Sequence, residues 1–387
     1  MNFLHAPNGG GYQNSISFIS SLIDMKFDFS NSRLLIFKNT GIHKLCIENK
    51  IPHIAIKMSL LSKLYFELFA WKMIKKGDIV FALFGPPLPF SKNKTLNIGG
   101  MAISNVLHKE VDFWGHLGAI PKAIKKLKDI YRINRYVKLD YWIFETELLK
   151  RKAILDFNFP SERCFVVKMA PSLLVSKQNS KPSEKSQKIN SIQSQHKFLF
   201  LSGAHPNKRL HILPDLAKEL CDKGLDLKIV LTAPDNGYLE SVFDKAKKLN
   251  VLDHFMNIQS VSADEVAGVI DACDYVCTFS VLESFSNNFV EAWAMEKPLF
   301  VTDADWSRES CKDSAVYVDF NNINNAAKTI FDAVNNKKLL AEKVLNGKSL
   351  LREYPSAAEK TQKYLEILNN TKETGKISAN SRKLIRL

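Results

Sequence analysis

Between Ser172 and His196 apolar residues become scarce and Ser, Lys, Gln and Asn take over, and on both sides of this stretch the same pattern runs. Short apolar runs of strand length alternate with segments of helical periodicity. On the N-terminal side the runs are the opening Met1-Asn-Phe-Leu-His-Ala-Pro, then Arg33–Phe37, Ile79–Phe84 and Tyr141–Phe144. On the C-terminal side they are Lys197–Leu201, Leu227–Leu231, Phe255–Ser260, Tyr275–Phe279, Pro298–Thr302 and Ala315–Val318. Such alternation predicts parallel sheets with helices on both faces, so the class is α/β. A chain of 387 residues is also too long for one ordinary core. The expectation is two Rossmann-like domains facing a central cleft, because open sheets take ligands at the C-terminal ends of their strands. The division reads as residues 1–171, an exposed linker or insertion at 172–196, a second domain at 197–355, and a C-terminal helix with a mobile tail at 356–387.

The charge is uneven. Lys and Arg number 54 against 40 Asp and Glu, a net charge of +14, which favours polyanionic partners. No helix-turn-helix, RNA-binding aromatic motif or zinc finger accompanies it, so nucleic acid is not expected. The segment Pro121–Lys138 carries seven basic residues against one acid, with Ile124, Leu127, Ile130 and Tyr131 at helical spacing. It reads either as a basic amphipathic helix lying on anionic lipid or as a surface helix with a solvated lysine face. Leu60 to Ile74 mixes Leu61, Leu64, Tyr65, Leu68, Phe69 and Trp71 with few charges, and reads as a packed core helix. No window holds eighteen apolar residues in a row, so no membrane-spanning helix is expected. The scattered cysteines and the lack of a basic, apolar leader point to reduced thiols in a cytoplasmic protein.

The first strand runs into Asn8-Gly-Gly-Gly-Tyr12 and then a helical pattern from about Ser15 to Ile23. This is the strand, loop and helix that opens a Rossmann-like half, although G-x-G-x-x-G is absent. Gly9, Gly10 and Gly11 would let a ligand approach the backbone near free helix N–H groups; a plain tight turn explains them equally well.

In the second half, Glu283-Ser-Phe-Ser-Asn-Asn-Phe-Val-Glu291 follows a strand end at Thr278–Val281. A helix is expected to begin near Ser286 or Asn287, either a good N-cap, with its first N–H groups available to a diphosphate. Glu283 then lies in the loop and Glu291 about one turn inside the helix. One carboxylate can accept hydrogen bonds from sugar hydroxyls and the other from a ribose diol.

This segment sits in an ordered series from Phe198 to Phe320 that resembles the retaining group 1 glycosyltransferases, which share the GT-B fold. The series runs from Phe198-Leu-Phe-Leu-Ser-Gly-Ala-His-Pro-Asn-Lys-Arg through Val261–Asp274 and Leu282–Pro298 to Thr302-Asp-Ala-Asp-Trp-Ser-Arg-Glu309 and Asp313–Asp319. The resemblance implies that Glu283 holds the donor sugar, that Glu291 holds the ribose, and that Lys208 offsets charge growing on the departing diphosphate. It also assigns Ser286, Asn287, Asn288 and Gly9–Gly11 to the donor. His116 stands where these enzymes often carry a histidine reaching the donor sugar, though a structural histidine fits almost as well. One departure concerns the phosphate grip: the family's usual arginine, five residues before the lysine, is Gly203 here, and Arg209 is a modest substitute. Asp303-Ala-Asp305 has the D-x-D form that holds a divalent metal in another transferase fold. Its place before Ser307-Arg-Glu309 favours a loop, so no metal and no cofactor are expected.

The resulting expectation is transfer of a sugar from a UDP- or GDP-linked donor to a hydroxyl of a glycan or lipid-linked acceptor, with retention, in surface polysaccharide assembly at the inner face of the cell membrane. The rivals are a nucleotide-sugar epimerase on the same fold and a catalytically dead nucleotide-sugar-binding protein.

Overall fold

The computed structural model describes residues 1–5, 9–69, 72, 74–87, 95–101, 103–172 and 174–384. It divides into two compact units. Unit 1 comprises Met1–Glu110, Leu117–Met169 and Pro355–Leu387; unit 2 comprises Val111–His116 and Ala170–Tyr354. Unit 1 thus includes the C-terminal segment from Pro355, and unit 2 includes both the excursion at 111–116 and the polar stretch.

In unit 1 the helix α1 (Gly9–Asp24) leads to β1 (Leu34–Phe37), then α2 (Gly41–Glu48), β2 (His53–Ile56), α3 (Leu60–Phe69) and β3 (Ile79–Ala82). There follow β4 (Leu96–Gly100), α4 (Ala119–Tyr136), β5 (Tyr141–Phe144), α5 (Glu147–Phe157) and β6 (Cys164–Val166). β1 pairs with β2, and β3, β4, β5 and β6 pair in that order, all in parallel. The N-terminal segment joins the two groups, since Asn2 bridges Leu35 on one side and Ala82 on the other. Counting that segment first, the spatial order is 3-2-1-4-5-6-7, so the order reverses between Asn2 and β3.

Strand alternation sorts the core onto two faces. Phe81 and Ile143 pack with Phe18, Ile19 and Ile42 of the first two helices. Val80 turns the other way with Leu4 and Phe37, and Trp142 and Phe144 join Tyr136 and Leu149. The first face is closed by α14 (Ala357–Leu384), which brings Tyr364 edge-on to Phe18 at 5.6 Å between ring centroids. Lys360 on the same helix donates to Asn14 of α1 at 2.7 Å.

Unit 2 holds α6 (Glu184–Asn190), β7 (His196–Phe200), α7 (Leu213–Asp222), β8 (Leu227–Leu231), α8 (Gly237–Lys248) and β9 (Phe255–Asn257). It continues with α9 (Val266–Asp271), β10 (Tyr275–Thr278), α10 (Asn287–Ala294), β11 (Leu299–Thr302), α11 (Asp305–Cys311), β12 (Val316–Val318), α12 (Ile323–Val334) and α13 (Lys337–Leu351). The six strands are parallel in the order β12-β11-β10-β7-β8-β9. Numbered along the chain this is 3-2-1-4-5-6, with the reversal between β7 and β10.

Five sequence expectations need correction. The helix α1 begins at Gly9, so Gly9–Gly11 form its first turn instead of a loop before it; its unpaired first-turn amides tolerate residues that would weaken a helix interior. The stretch 172–196 is not a plain exposed linker: Ser183 caps α6, Ile189 is fully buried, and Lys185 pairs with Glu265 at 2.8 Å. The helix α3 is not packed all round, because Leu61, Tyr65, Leu68 and Phe69 are exposed; Trp71 lies outside the described residues. The last helix does not stop near Leu368 but runs to Leu384. Three strands, β2, β4 and β6, were not anticipated. In β4 the glycines matter: a Cβ on Gly100 would lie 1.9 Å from the Leu83 carbonyl oxygen, so only glycine fits there.

Candidate functional site

The reversal between β7 and β10 places two loops side by side at the C-terminal end of the unit 2 sheet. The β7 loop tightens into a single turn at Pro206–Lys208, capped by His205, whose Nδ1 accepts from the Asn207 N–H at 3.1 Å. Arg209 then adopts the left-handed conformation, φ 53°, which breaks the turn and sends successive side chains apart. The β10 loop runs from Phe279 to the start of α10 at Asn287.

Asn207 fastens the two loops together. Its side-chain amide donates to the Leu282 carbonyl at 2.9 Å and its Oδ1 accepts from the Leu282 N–H at 3.2 Å. Its own carbonyl accepts from Val281 N–H at 2.8 Å. With the backbone pinned three ways, the neighbouring side chains meet: Lys208 Nζ lies 2.5 Å from Glu283 Oε1. The Ser280 hydroxyl donates to that same oxygen at 2.6 Å. Lys208 and Glu283, 75 positions apart in sequence, thus form a half-buried, doubly hydrogen-bonded centre.

The helix α10 starts beside it. Ser286 is its N-cap residue and makes no side-chain capping bond, so no side chain of the N-cap covers the first-turn N–H groups. Asn288 ties that turn to the sheet, donating to the Leu201 carbonyl at 3.2 Å and to the Thr278 hydroxyl at 3.1 Å. One turn further, Glu291 is buried, with no hydrogen bond or ion pair to its carboxylate among the described residues. Burial alone pushes its carboxyl up to about 7. A buried carboxylate without donors is costly, and a ligand bearing hydroxyls would supply them.

The remaining candidates separate. His116 belongs to the short 111–116 excursion and sets its ring 6.2 Å from that of His205, edge to face, next to the loop that carries Lys208. Arg209 turns away from Glu283: its guanidinium lies 5.9 Å from the Phe320 ring and draws on Asp319, while burial lowers its proton affinity. Gly203 is exposed, and a Cβ there would meet nothing within 4 Å. Gly9–Gly11 lie in unit 1. Of the D-x-D pair, Asp303 is gripped by Arg308 through both carboxylate oxygens, at 2.5 and 2.7 Å, and Asp305 is the first residue of α11. No group of three or more His, Cys, Asp or Glu suited to a metal occurs among the described residues.

Asn207, Ser280 and His205 are not singled out by the sequence pattern. The Pro206–Lys208 turn, with its polar residue facing a carboxylate loop, was visible only once β7 and β10 were known to be neighbours.

Residues 182–349 match the model of the family described as "Glycosyl transferases group 1". Comparison with curated proteins finds no match. Solved structures align over nearly the whole chain at low identity. A glycosyltransferase from Rickettsia africae is 15% identical, with 95% of this chain and 96% of that chain covered and a TM-score of 0.68. Anabaena Alr3699/HepE, solved with UDP-glucose, is 14% identical over 94% and 97%, TM-score 0.68. WaaG, a glycosyltransferase involved in lipopolysaccharide biosynthesis, is 10% identical over 94% and 96%, TM-score 0.69. The chain therefore has the GT-B fold, and its second unit carries the stretch that matches the group 1 glycosyltransferase model.

Proposed function

We propose that this chain is a retaining glycosyltransferase that moves a sugar from a nucleotide diphosphate to a hydroxyl acceptor, without a divalent metal. The observation that carries the reading is the Lys208–Glu283 centre at the strand-order reversal, beside an uncapped helix start and a partnerless buried carboxylate. The donor diphosphate would sit against the first-turn N–H groups of α10 and take over the Lys208 ammonium. Glu283, released from Lys208, would accept hydrogen bonds from the sugar's hydroxyls, and Glu291 from the ribose diol. The bond from the anomeric carbon to the diphosphate oxygen breaks with its electron pair going to that oxygen, where Lys208 and the helix start offset the charge. The acceptor oxygen bonds to the same face of the anomeric carbon, and its proton passes to the departing phosphate. Asp303 is engaged by Arg308, which supports catalysis through fixed cations instead of a metal bridge.

Unit 1, which carries Gly9–Gly11 in the first turn of α1, is assigned the acceptor. The UDP-glucose complex of HepE makes UDP-sugars the first donors to test, ahead of GDP-sugars. WaaG's part in lipopolysaccharide biosynthesis supports a place in surface polysaccharide assembly. Gly203, standing where the resemblance expects an arginine, favours a second reading: a protein that binds nucleotide sugars without turning them over. A panel of UDP- and GDP-sugars, assayed for donor hydrolysis and thermal stabilisation, separates the two. Stabilisation with hydrolysis supports the transferase, and stabilisation alone supports the binding protein. Stabilisation that survives Glu291→Ala unchanged would refute the donor site.

A further inference from the structure

We propose that Cys221 and His254 form a binding site for a thiophilic divalent cation of the zinc type, on the edge of the unit 2 sheet opposite the Lys208–Glu283 centre. Of the six cysteines five are buried, and Cys221 is partly exposed. It stands in the last turn of α7, where its Sγ lies 3.4 Å from Nε2 of His254. The histidine ends the single turn Leu252–His254 that leads into β9, and it too is partly exposed. Leu227 opens β8, so the pair sits at the N-terminal ends of β8 and β9. The Lys208–Glu283 centre lies at the C-terminal ends of β7 and β10 in the same parallel sheet.

The ring is already set for a metal. His254 Nδ1 is 3.0 Å from the Leu227 carbonyl oxygen, which can only accept. In the neutral ring Nδ1 therefore carries the proton, and Nε2 presents its lone pair to the sulfur. Metal-binding histidines are oriented in this way, by an acceptor that holds the other nitrogen. The spacing fits as well. An ion with tetrahedral bonds of about 2.3 Å to sulfur and about 2.0 Å to nitrogen holds those atoms about 3.5 Å apart, so the pair accepts it almost without moving.

Charge favours a cation over other chemistry at this thiol. Burial pushes the Cys221 thiol up, Asp222 and Asp226 add to the effect, and Lys218 opposes it. A thiol that keeps its proton is a poor nucleophile, which argues against a redox or alkylation site. The carboxylates that hold the proton also attract a metal. Lys218 engages Asp222, and one oxygen of Asp226 accepts from the Gln195 N–H at 3.0 Å. No third His, Cys, Asp or Glu completes a metal group among the described residues, so water fills the remaining positions of the bound ion. Thiolate with imidazole selects zinc-like ions over magnesium or manganese. On binding, the Sγ–H bond breaks, the proton leaves to solvent, and the sulfur's electron pair goes to the cation. The ion then joins the end of α7 to the turn before β9, across 33 positions of sequence. This inference is independent of the transfer reading.

The test is titration of the full chain with cobalt(II), in the absence of nucleotide. A near-ultraviolet thiolate-to-cobalt charge-transfer band should appear and saturate at a single ion per chain. Zinc should abolish it by competition, and magnesium should not. Because one proton is released, affinity should rise about tenfold between about pH 7 and pH 8. Cys221→Ser should remove the band, and His254→Gln should weaken cobalt binding by about tenfold to a hundredfold. Serine keeps the shape of a partly exposed side chain, so the metal-free melting temperature of Cys221→Ser should match the wild type. Absence of the band in the wild type, its survival in Cys221→Ser, unchanged affinity in His254→Gln, or affinity independent of pH would each overturn the proposal.

Discussion

Replacing Glu291 by Gln should change how stability depends on pH, with a sign and window fixed by burial. In the folded chain the carboxyl is pushed up to about 7, against an ordinary value of 4.5, by desolvation with no opposing cation. Below pH 4.5 both folded and unfolded chains hold the proton and the group costs nothing. As pH rises from 4.5 to 7 the unfolded chain ionises while the folded one keeps its proton, so this contribution to stability falls. Above pH 7 the loss is complete, at about 3 kcal/mol from roughly 1.4 kcal/mol per tenfold change in proton affinity. Glutamine has the same shape and does not ionise. Urea unfolding of both proteins at a series of pH values, followed by a probe in unit 2, gives the difference directly. Glu291→Gln should gain on the wild type by about 3 kcal/mol between pH 4.5 and 8, with no further gain above. Parallel curves would refute the reasoning, because they would mean that the carboxylate finds donors or solvent in the folded chain.

The same residue links binding to pH. Hydroxyl donors favour the ionised carboxylate, so UDP-glucose, whose diphosphate does not titrate in this range, should bind more tightly as pH rises from 5 to 7, and calorimetry should show that slope vanish in Glu291→Gln. Lys208→Met should lower turnover of the donor by about a hundredfold to a thousandfold while leaving fold intact by circular dichroism. Asn207→Ala should destabilise unit 2 by about 2 kcal/mol, because it strands the buried amide and carbonyl of Leu282; a change within a few tenths would contradict the pinning role. Gly203→Arg, with open space at the Cβ, should tighten UDP-glucose binding by roughly tenfold, read by calorimetry.

The parts of this structure that were legible in the sequence are those set by local pattern. Runs such as Leu227–Leu231 and Tyr141–Phe144 appear as strands at the residues expected. The helix α10 starts at Asn287, inside the expected range, with Ser286 at the N-cap position but making no capping bond. What stayed hidden depends on neighbours. The strand β4 carries Asn97 and two glycines, a poor strand in isolation, and is held by parallel partners on both sides. The strand β6 has only three residues. The stripe on α4 shows the same limit in reverse: periodicity reveals an apolar face but not whether that face points inward. The Lys208–Glu283 contact needed the pairing of β7 with β10, which no spacing announces.

The last helix carries a consequence for biosynthesis. Unit 1 is assembled from both ends of the chain, and α14 supplies Tyr364 and Ile367 to the face formed by Phe18 and Phe81. A chain emerging from the ribosome N-terminus first therefore displays that face uncovered through the whole synthesis of unit 2. Unit 2, whose strands and helices lie almost entirely within one continuous segment, can fold as soon as it emerges. The opening domain is thus the last to close, and during that interval its bare phenylalanine surface is the part of the nascent protein most in need of a chaperone.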